Sequence, residues 1–167
     1  MMKKYLLWLL LAAGNAVGFT LQSPAFDNHS TIPIKYTCDG QNISPPLAWI
    51  KPPHGTKSFV LIMEDPDAPN KTWDHWILFN IPANVKTLAE NMQEPPGGTK
   101  LGMNSWQQVK YNGPCPPTGK HRYYFKLFAL NILLDLKQGA TKEEILSAMN
   151  KHILAASEWI GKYQKQP

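Results

Sequence analysis

Fifteen prolines punctuate this chain, and nearly all of them fall between residues 24 and 117. Proline fixes φ and removes a backbone donor, so it stops helices and is pushed to strand ends and turns. The chain is therefore cut into short segments, which suits a mainly β scaffold with many turns. Three apolar runs survive between the breaks. "KSFVLIMED" (57–65) is continuous and reads as a buried strand. "WDHWILFNI" (73–81) is a second, in which period two puts Trp73, His75, Ile77, Phe79 and Ile81 on one face. "HRYYFKLFALNI" (121–132) is a third, with His121, Tyr123, Phe125, Leu127 and Ala129 sharing a face. A shorter strand is expected around "IPIKYTC". No internal repeat or low-complexity segment interrupts this pattern.

The C-terminal part changes character. In "TKEEILSAMNKHILAASEWIGKYQ", Thr141 and Glu144 form a capping box. Ile145, Met149, Ile153, Ala156 and Ile160 then follow helical spacing, and Gly161 is a stop signal. The expectation is a helical lid, of one helix or of two broken near Asn150, packed on a β-sandwich.

The first eighteen residues stand apart. Lys3 and Lys4 precede an apolar run, Tyr5 to Ala13, and Ala16 and Gly18 are small residues ahead of Phe19. That is the pattern of a secretory signal peptide cleaved near Gly18–Phe19, and the run is too short for a comfortable membrane span. The expected product is one domain, residues 19–167, in the periplasm or outside the cell, with no stable membrane anchor. Without Lys3 and Lys4 the excess of basic over acidic residues falls from five to three. Arg122 is the only arginine, and the charge is not clustered, so a nucleic-acid reader is not expected. Both cysteines, Cys38 and Cys115, lie in the exported part. An oxidising compartment and an even count favour one disulfide over two free thiols or half a metal site. The sequons at Asn28, Asn42 and Asn70 are short enough to arise by chance.

Two histidines open strands on the face that then turns apolar, His75 and His121. If both strands enter the sheet at the same end, Asp65, His75, His121 and Tyr123 meet in one concavity. Asp67 would hold the adjoining turn by side-chain to backbone bonds, and "GPCPP", with Cys115, would supply a stiff wall. Each residue alone also has an ordinary structural role: a surface histidine, a turn aspartate, a core tyrosine.

"DPDAP" (65–69), the "WDHW" strand and "GPCPPTGKHRYYFKLFAL" resemble the phosphatidylethanolamine-binding protein family, in its bacterial Raf-kinase-inhibitor-like branch. "YTCDGQNISPPLAW" and "HILAASEWIGKY" are similar to the same branch. The resemblance implies an antiparallel β-sandwich with peripheral C-terminal helices. It also implies a pocket for phosphate-like anions or phospholipid headgroups, lined by Asp65, Pro69, Trp73, His75, Pro117, His121 and Tyr123. Cys115 stands where the animal members have glycine, and no counterpart of their pocket-gating C-terminal helix is expected after Tyr163.

The leading expectation is a non-catalytic binding protein with no cofactor. Imidazole N–H and phenol O–H suit phosphate oxygens, and a bound phosphate would favour a protonated histidine. Asp65 would fix a histidine tautomer or pair with the ammonium of phosphoethanolamine. The resemblance makes modulation of a partner enzyme, a kinase or a protease, a further expectation; a dimer is open. Two alternatives remain. One is a phosphoester hydrolase using Asp65, His75 and His121 as metal ligands or as an acid–base pair, although no catalytic motif accompanies them. The other is a secreted interaction protein with an idle pocket.

Overall fold

The computed structural model describes residues 18–165. The expected leader, apart from Gly18, lies outside them. Two antiparallel sheets pack face to face. The smaller has the order β1-β2-β5, from Thr20–Gln22 (β1), Leu47–Ile50 (β2) and Thr87–Leu88 (β5). The larger has the order β6-β4-β3-β7-β8. Its strands are Ser58–Asp65 (β3), Trp73–Pro82 (β4), Lys100–Leu101 (β6), Lys120–Leu130 (β7) and Ile153–Gln164 (β8).

The continuous apolar run becomes β3, the central strand, and every one of its residues is buried. Both its faces are covered, so it needs no alternation. One core lies between the sheets and includes Leu21, Trp49, Phe59, Leu61, Trp76, Phe125 and Leu127. The other lies on the outer face, where Val60, Ile62, Ile77 and Phe79 pack under Ile145 and Met149 of the helix Lys142–Met149 (α1). Thr141 caps this helix as expected. Its hydroxyl accepts from Glu144 N at 3.2 Å, and Thr141 N donates to Glu144 Oε2 at 2.8 Å. Such a cap contributes about 1 kcal/mol.

The helical lid ends there, and this corrects the expectation for the C-terminus. Asn150 turns extended, Lys151 takes a positive φ of 66°, and His152 N closes the turn on Met149 O at 3.0 Å. The chain then pairs along almost the whole of β7, from Leu130↔Ile153 to Lys120↔Gln164. Ile153, Ala156 and Ile160 thus follow helical spacing by coincidence. Gly161 is not a helix stop but a close-approach residue opposite Tyr123: a Cβ there would lie 2.3 Å from Ile32 Cγ1.

Two further expectations change. "IPIKYTC" forms a single 3-10 turn, Ile34–Tyr36, after Pro33, with Thr37 Oγ1 donating to Ile34 O. β4 does not keep one face along its length. Register shifts between Met63 and Glu64 and between Phe59 and Leu61 interrupt its pairing with β3. Trp76, Leu78 and Ile81 therefore face the inter-sheet core, while Ile77 and Phe79 face α1. On β7 the expected alternation holds: Tyr123, Phe125, Leu127 and Ala129 all enter the inter-sheet core.

Cys38 and Cys115 are joined in a disulfide with Cα atoms 5.4 Å apart. It ties the turn after the 3-10 helix to the segment preceding β7. Cys38 N also donates to Pro114 O at 3.0 Å, and Gly113 N donates to Asn42 Oδ1 at 2.8 Å. Glycine is required at position 113, because a Cβ would stand 2.2 Å from Tyr36 O.

Candidate functional site

The end of β3, the start of β4 and the start of β7 meet at one rim of the large sheet, because β3 pairs antiparallel with both neighbours. Asp65 closes β3 and is 3 % exposed. Its two oxygens are both engaged: Oδ2 accepts from His121 Nδ1 at 2.7 Å, and Oδ1 accepts from Asp67 N at 2.9 Å. Of the two roles expected for Asp65, orientation of a histidine is the one its geometry serves. With both oxygens engaged and the carboxylate buried, it is not presented to a ligand ammonium.

Asp67 holds the turn differently from the expectation. Its carboxylate reaches across to β7 and accepts from Arg122 N (2.8 Å), Nε (2.9 Å) and Nη2 (2.7 Å). The guanidinium holds the Asp67 carboxyl down to about 2. Arg122 was not nominated from the sequence. Its signal, a lone arginine next to His121, is plain only once Asp67 is seen to need a partner.

His75 lies in the bulge between Met63 and Glu64, and its ring packs edge-on between two aromatics. The Tyr123 ring is at 5.2 Å and the Trp106 ring at 5.0 Å between centroids. Its Nδ1 lies 2.7 Å from Asn112 O, so Nδ1 carries the proton and donates. Burial pushes the His75 pKa below 6.5, against smaller opposing pulls from the Asn112 carbonyl and Asp65. His75 is thus neutral near pH 7, and Nε2 presents a lone pair.

This has a consequence for stability. The unfolded histidine binds a proton more readily than the folded one. The contribution of buried neutral His75 is therefore complete above about pH 6.5 and is lost as pH falls toward the folded value. The urea midpoint should fall between about pH 7 and pH 5, and His75→Phe should remove part of that slope. An unchanged slope in the variant would mean that His75 does not titrate as its burial requires.

Tyr123 is fully buried, and burial, then the Asp65 charge, push its pKa upward, so it stays a phenol. Its hydroxyl is near enough to Asp65 and the Cys115 backbone to feel both electrostatically. Neither meets hydrogen-bonding geometry, and among the described residues the O–H has no other partner. Trp73 Nε1 is a second buried donor without a partner among the described residues. Its ring stands edge-on to Trp106 at 5.4 Å, under the Lys71 ammonium at 5.5 Å. An unpaired buried polar group costs about 1–3 kcal/mol, so two on one rim call for a reason.

Of the expected site residues, Asp65, His75, His121 and Tyr123 come together, and Trp73 joins them through Trp106. Pro69 and Pro117 stand exposed on the flanking loops, and no hydrogen bond or ring contact ties either to the cluster. Cys115 is exposed at the wall between buried Pro114 and Pro116. Trp106, 38 % exposed, was missed; a tryptophan in a polar loop gives no local signal of its partner. Asn112 was missed too, because it acts through its carbonyl. Among the described residues, no three His, Cys, Asp or Glu side chains converge as a metal site. Asp65 and His121 are bonded to each other through Oδ2 and Nδ1.

Known proteins share this fold. The family model for phosphatidylethanolamine-binding proteins matches residues 22–164. A UPF0098 protein of Methanothermobacter thermautotrophicus is 48% identical over 148 residues, covering 87% of this chain and 98% of that protein. One from Aquifex aeolicus is 45% identical over 161 residues, covering 93% and 94%. Among solved structures, a phosphatidylethanolamine-binding protein homologue from Chlamydia trachomatis matches with a TM-score of 0.85 and 43% identity, covering 89% of this chain and 99% of that one. Escherichia coli YbcL, described as a new member of the mammalian family, matches with a TM-score of 0.84 and 29% identity, covering 90% and 100%. A family model spanning nearly every described residue agrees with both the sandwich and the relatives: the chain belongs to the phosphatidylethanolamine-binding protein family.

Proposed function

We propose that this is an exported, non-catalytic binding protein whose His75–Tyr123–His121 rim takes a small phosphate-like anion, either free or as a phospholipid headgroup. The observation that carries the reading is the buried Tyr123 hydroxyl, a donor held without a partner beside a neutral imidazole. A phosphate oxygen would satisfy it, and Trp73 Nε1 offers a second donor on the same rim. Because His75 Nδ1 is committed to Asn112 O, the ring can donate to an anion only through a protonated Nε2. Binding is therefore coupled to proton uptake and weakens as pH rises. The prolines of the flanking loops keep the rim preformed and lower the ordering cost. The leader pattern of residues 1–18 and the Cys38–Cys115 disulfide support export. With Asp65 buried and engaged, the anion is recognised more than any ammonium attached to it.

The test is an NMR titration of the histidine ring signals with phosphate and with O-phosphoethanolamine. Saturable shifts should centre on His75 and His121, with similar affinities for the two ligands and tighter binding at about pH 6 than at about pH 8. Tyr123→Phe is the sharper variant. It should weaken binding roughly tenfold, the value of a hydrogen bond to a charged group. It should leave stability unchanged or raise it by about 1 kcal/mol, because the hydroxyl has no partner to lose. Rings that stay still at millimolar ligand would overturn the reading.

A further inference from the structure

The same end of the large sheet carries a second cluster on its other face. Odd-numbered residues of β7 point into the inter-sheet core, so Lys120 and Arg122 point outward together. Lys162 of β8 lies directly opposite Arg122 in the antiparallel register. The three cations thus have Cβ atoms within about 5 to 8 Å of one another. Like charges directly opposite each other across a strand pair destabilise it. Arg122 is answered by Asp67. Lys120 and Lys162 have no ion pair or hydrogen bond at their ammonium groups among the described residues, although Lys162 is half-buried. Both border an open recess of about 550 Å³, which Asp67, Thr118, Gly119, His121 and Arg122 also line.

We propose that this recess is a second anion site, centred on Lys120 and Lys162 and adjoining the His75–Tyr123 rim at His121, for a dianionic phosphoryl group: a phosphate monoester or the terminal phosphate of a diphosphate. Two uncompensated ammonium groups match the two charges such a group carries near neutral pH, when its second pKa of about 6 is passed. Its tetrahedral oxygens accept from both strands at once, turning a cross-strand repulsion into a bridge. A monoanionic sulfate ester or phosphodiester leaves one lysine unanswered and binds less well. The same chemistry occurs in soluble phosphates and in phosphomonoester lipids, so the source of the group is read separately.

The experiment is an amide-resolved titration of the mature protein with inorganic phosphate and with pyrophosphate, at about pH 7.5 and physiological salt. Saturable shifts of Thr118, Gly119, Lys120, Arg122 and Lys162 are expected, His121 being left out because it also belongs to the rim. A double Lys120→Gln, Lys162→Gln variant should weaken them about tenfold, one charge-assisted bond's worth. The same variant should melt no lower than the parent, since it relieves repulsion. His75→Ala should leave these shifts intact, so failure of the rim and failure of this recess are told apart residue by residue. Shifts that never saturate, that ignore the double variant, or that vanish with His75→Ala would overturn the proposal. Co-sedimentation with phosphatidylcholine vesicles containing phosphatidic acid, lost in the double variant, assigns a lipid source. Binding of soluble phosphate without co-sedimentation assigns a soluble one.

Discussion

Asp65→Ala should lower the unfolding free energy by about 3 kcal/mol and abolish the response of both histidine rings to phosphate. The carboxylate is buried at 3 % exposure and receives His121 Nδ1 on one oxygen and Asp67 N on the other. Its removal leaves the buried His121 Nδ1 and the partly buried Asp67 N unanswered and opens a polar cavity that the stiff Asp-Pro-Asp turn cannot close. His121 then loses the bond that fixes its tautomer. The control is Asp67→Ala. That pair is partly exposed, with 28% of the Asp67 side chain and 50% of the Arg122 side chain accessible, so its loss should cost far less. It carries a pH signature of its own: with the Asp67 pKa held down to about 2, its contribution is complete above the usual carboxylate value of 3.8 and disappears as pH falls through about 2. Urea unfolding of the two variants at about pH 7 separates the cases. If Asp65→Ala were no worse than Asp67→Ala, the buried pair would not be the centre of the rim.

The residues that met at this rim were readable because each sits at a strand end. A strand's terminus is set by the same proline or glycine breaks that sequence displays, and antiparallel pairing brings alternate strand ends together. Asp65 follows an unbroken apolar run, and His121 opens one, so their meeting required only that β3 pair with β7. The bulge at His75 was not readable. It changes which face follows Trp76 without altering composition, and its cause is the pairing of Met63 with Trp76 and Glu64 with Asp74. β8 was misread for a different reason. Ala155, Ala156, Ser157, Glu158 and Lys162 have weak strand preference, and the capping box at Thr141 starts a helix in earnest. Only tertiary pairing with β7 decides that the helix stops at Met149. Trp106 and Asn112 act through a ring edge and a backbone carbonyl, and neither chemistry leaves a spacing in the sequence.

Replacing both Cys38 and Cys115 with serine should lower stability by about 4 kcal/mol, the largest single effect expected, while leaving anion binding at the rim within a few-fold of the parent. The two halves of that statement have different causes. The disulfide closes a loop with a sequence separation of 77, and in the chain-entropy model the cost of losing it falls on the unfolded state. The wall itself is held by bonds that survive the substitution: Cys38 N to Pro114 O, Gly113 N to Asn42 Oδ1, and the Tyr111 hydroxyl to Tyr36 O at 2.6 Å. Asn112 O, which fixes the His75 tautomer, lies inside that hydrogen-bonded stretch. Cys115 is exposed, so serine there opens no cavity. Urea unfolding with and without reductant measures the first half, and the histidine ring titration measures the second. A large loss of binding under conditions where the variant is fully folded would mean that the sulfur bridge, rather than the backbone bonds beside it, sets the position of the wall and hence of His75.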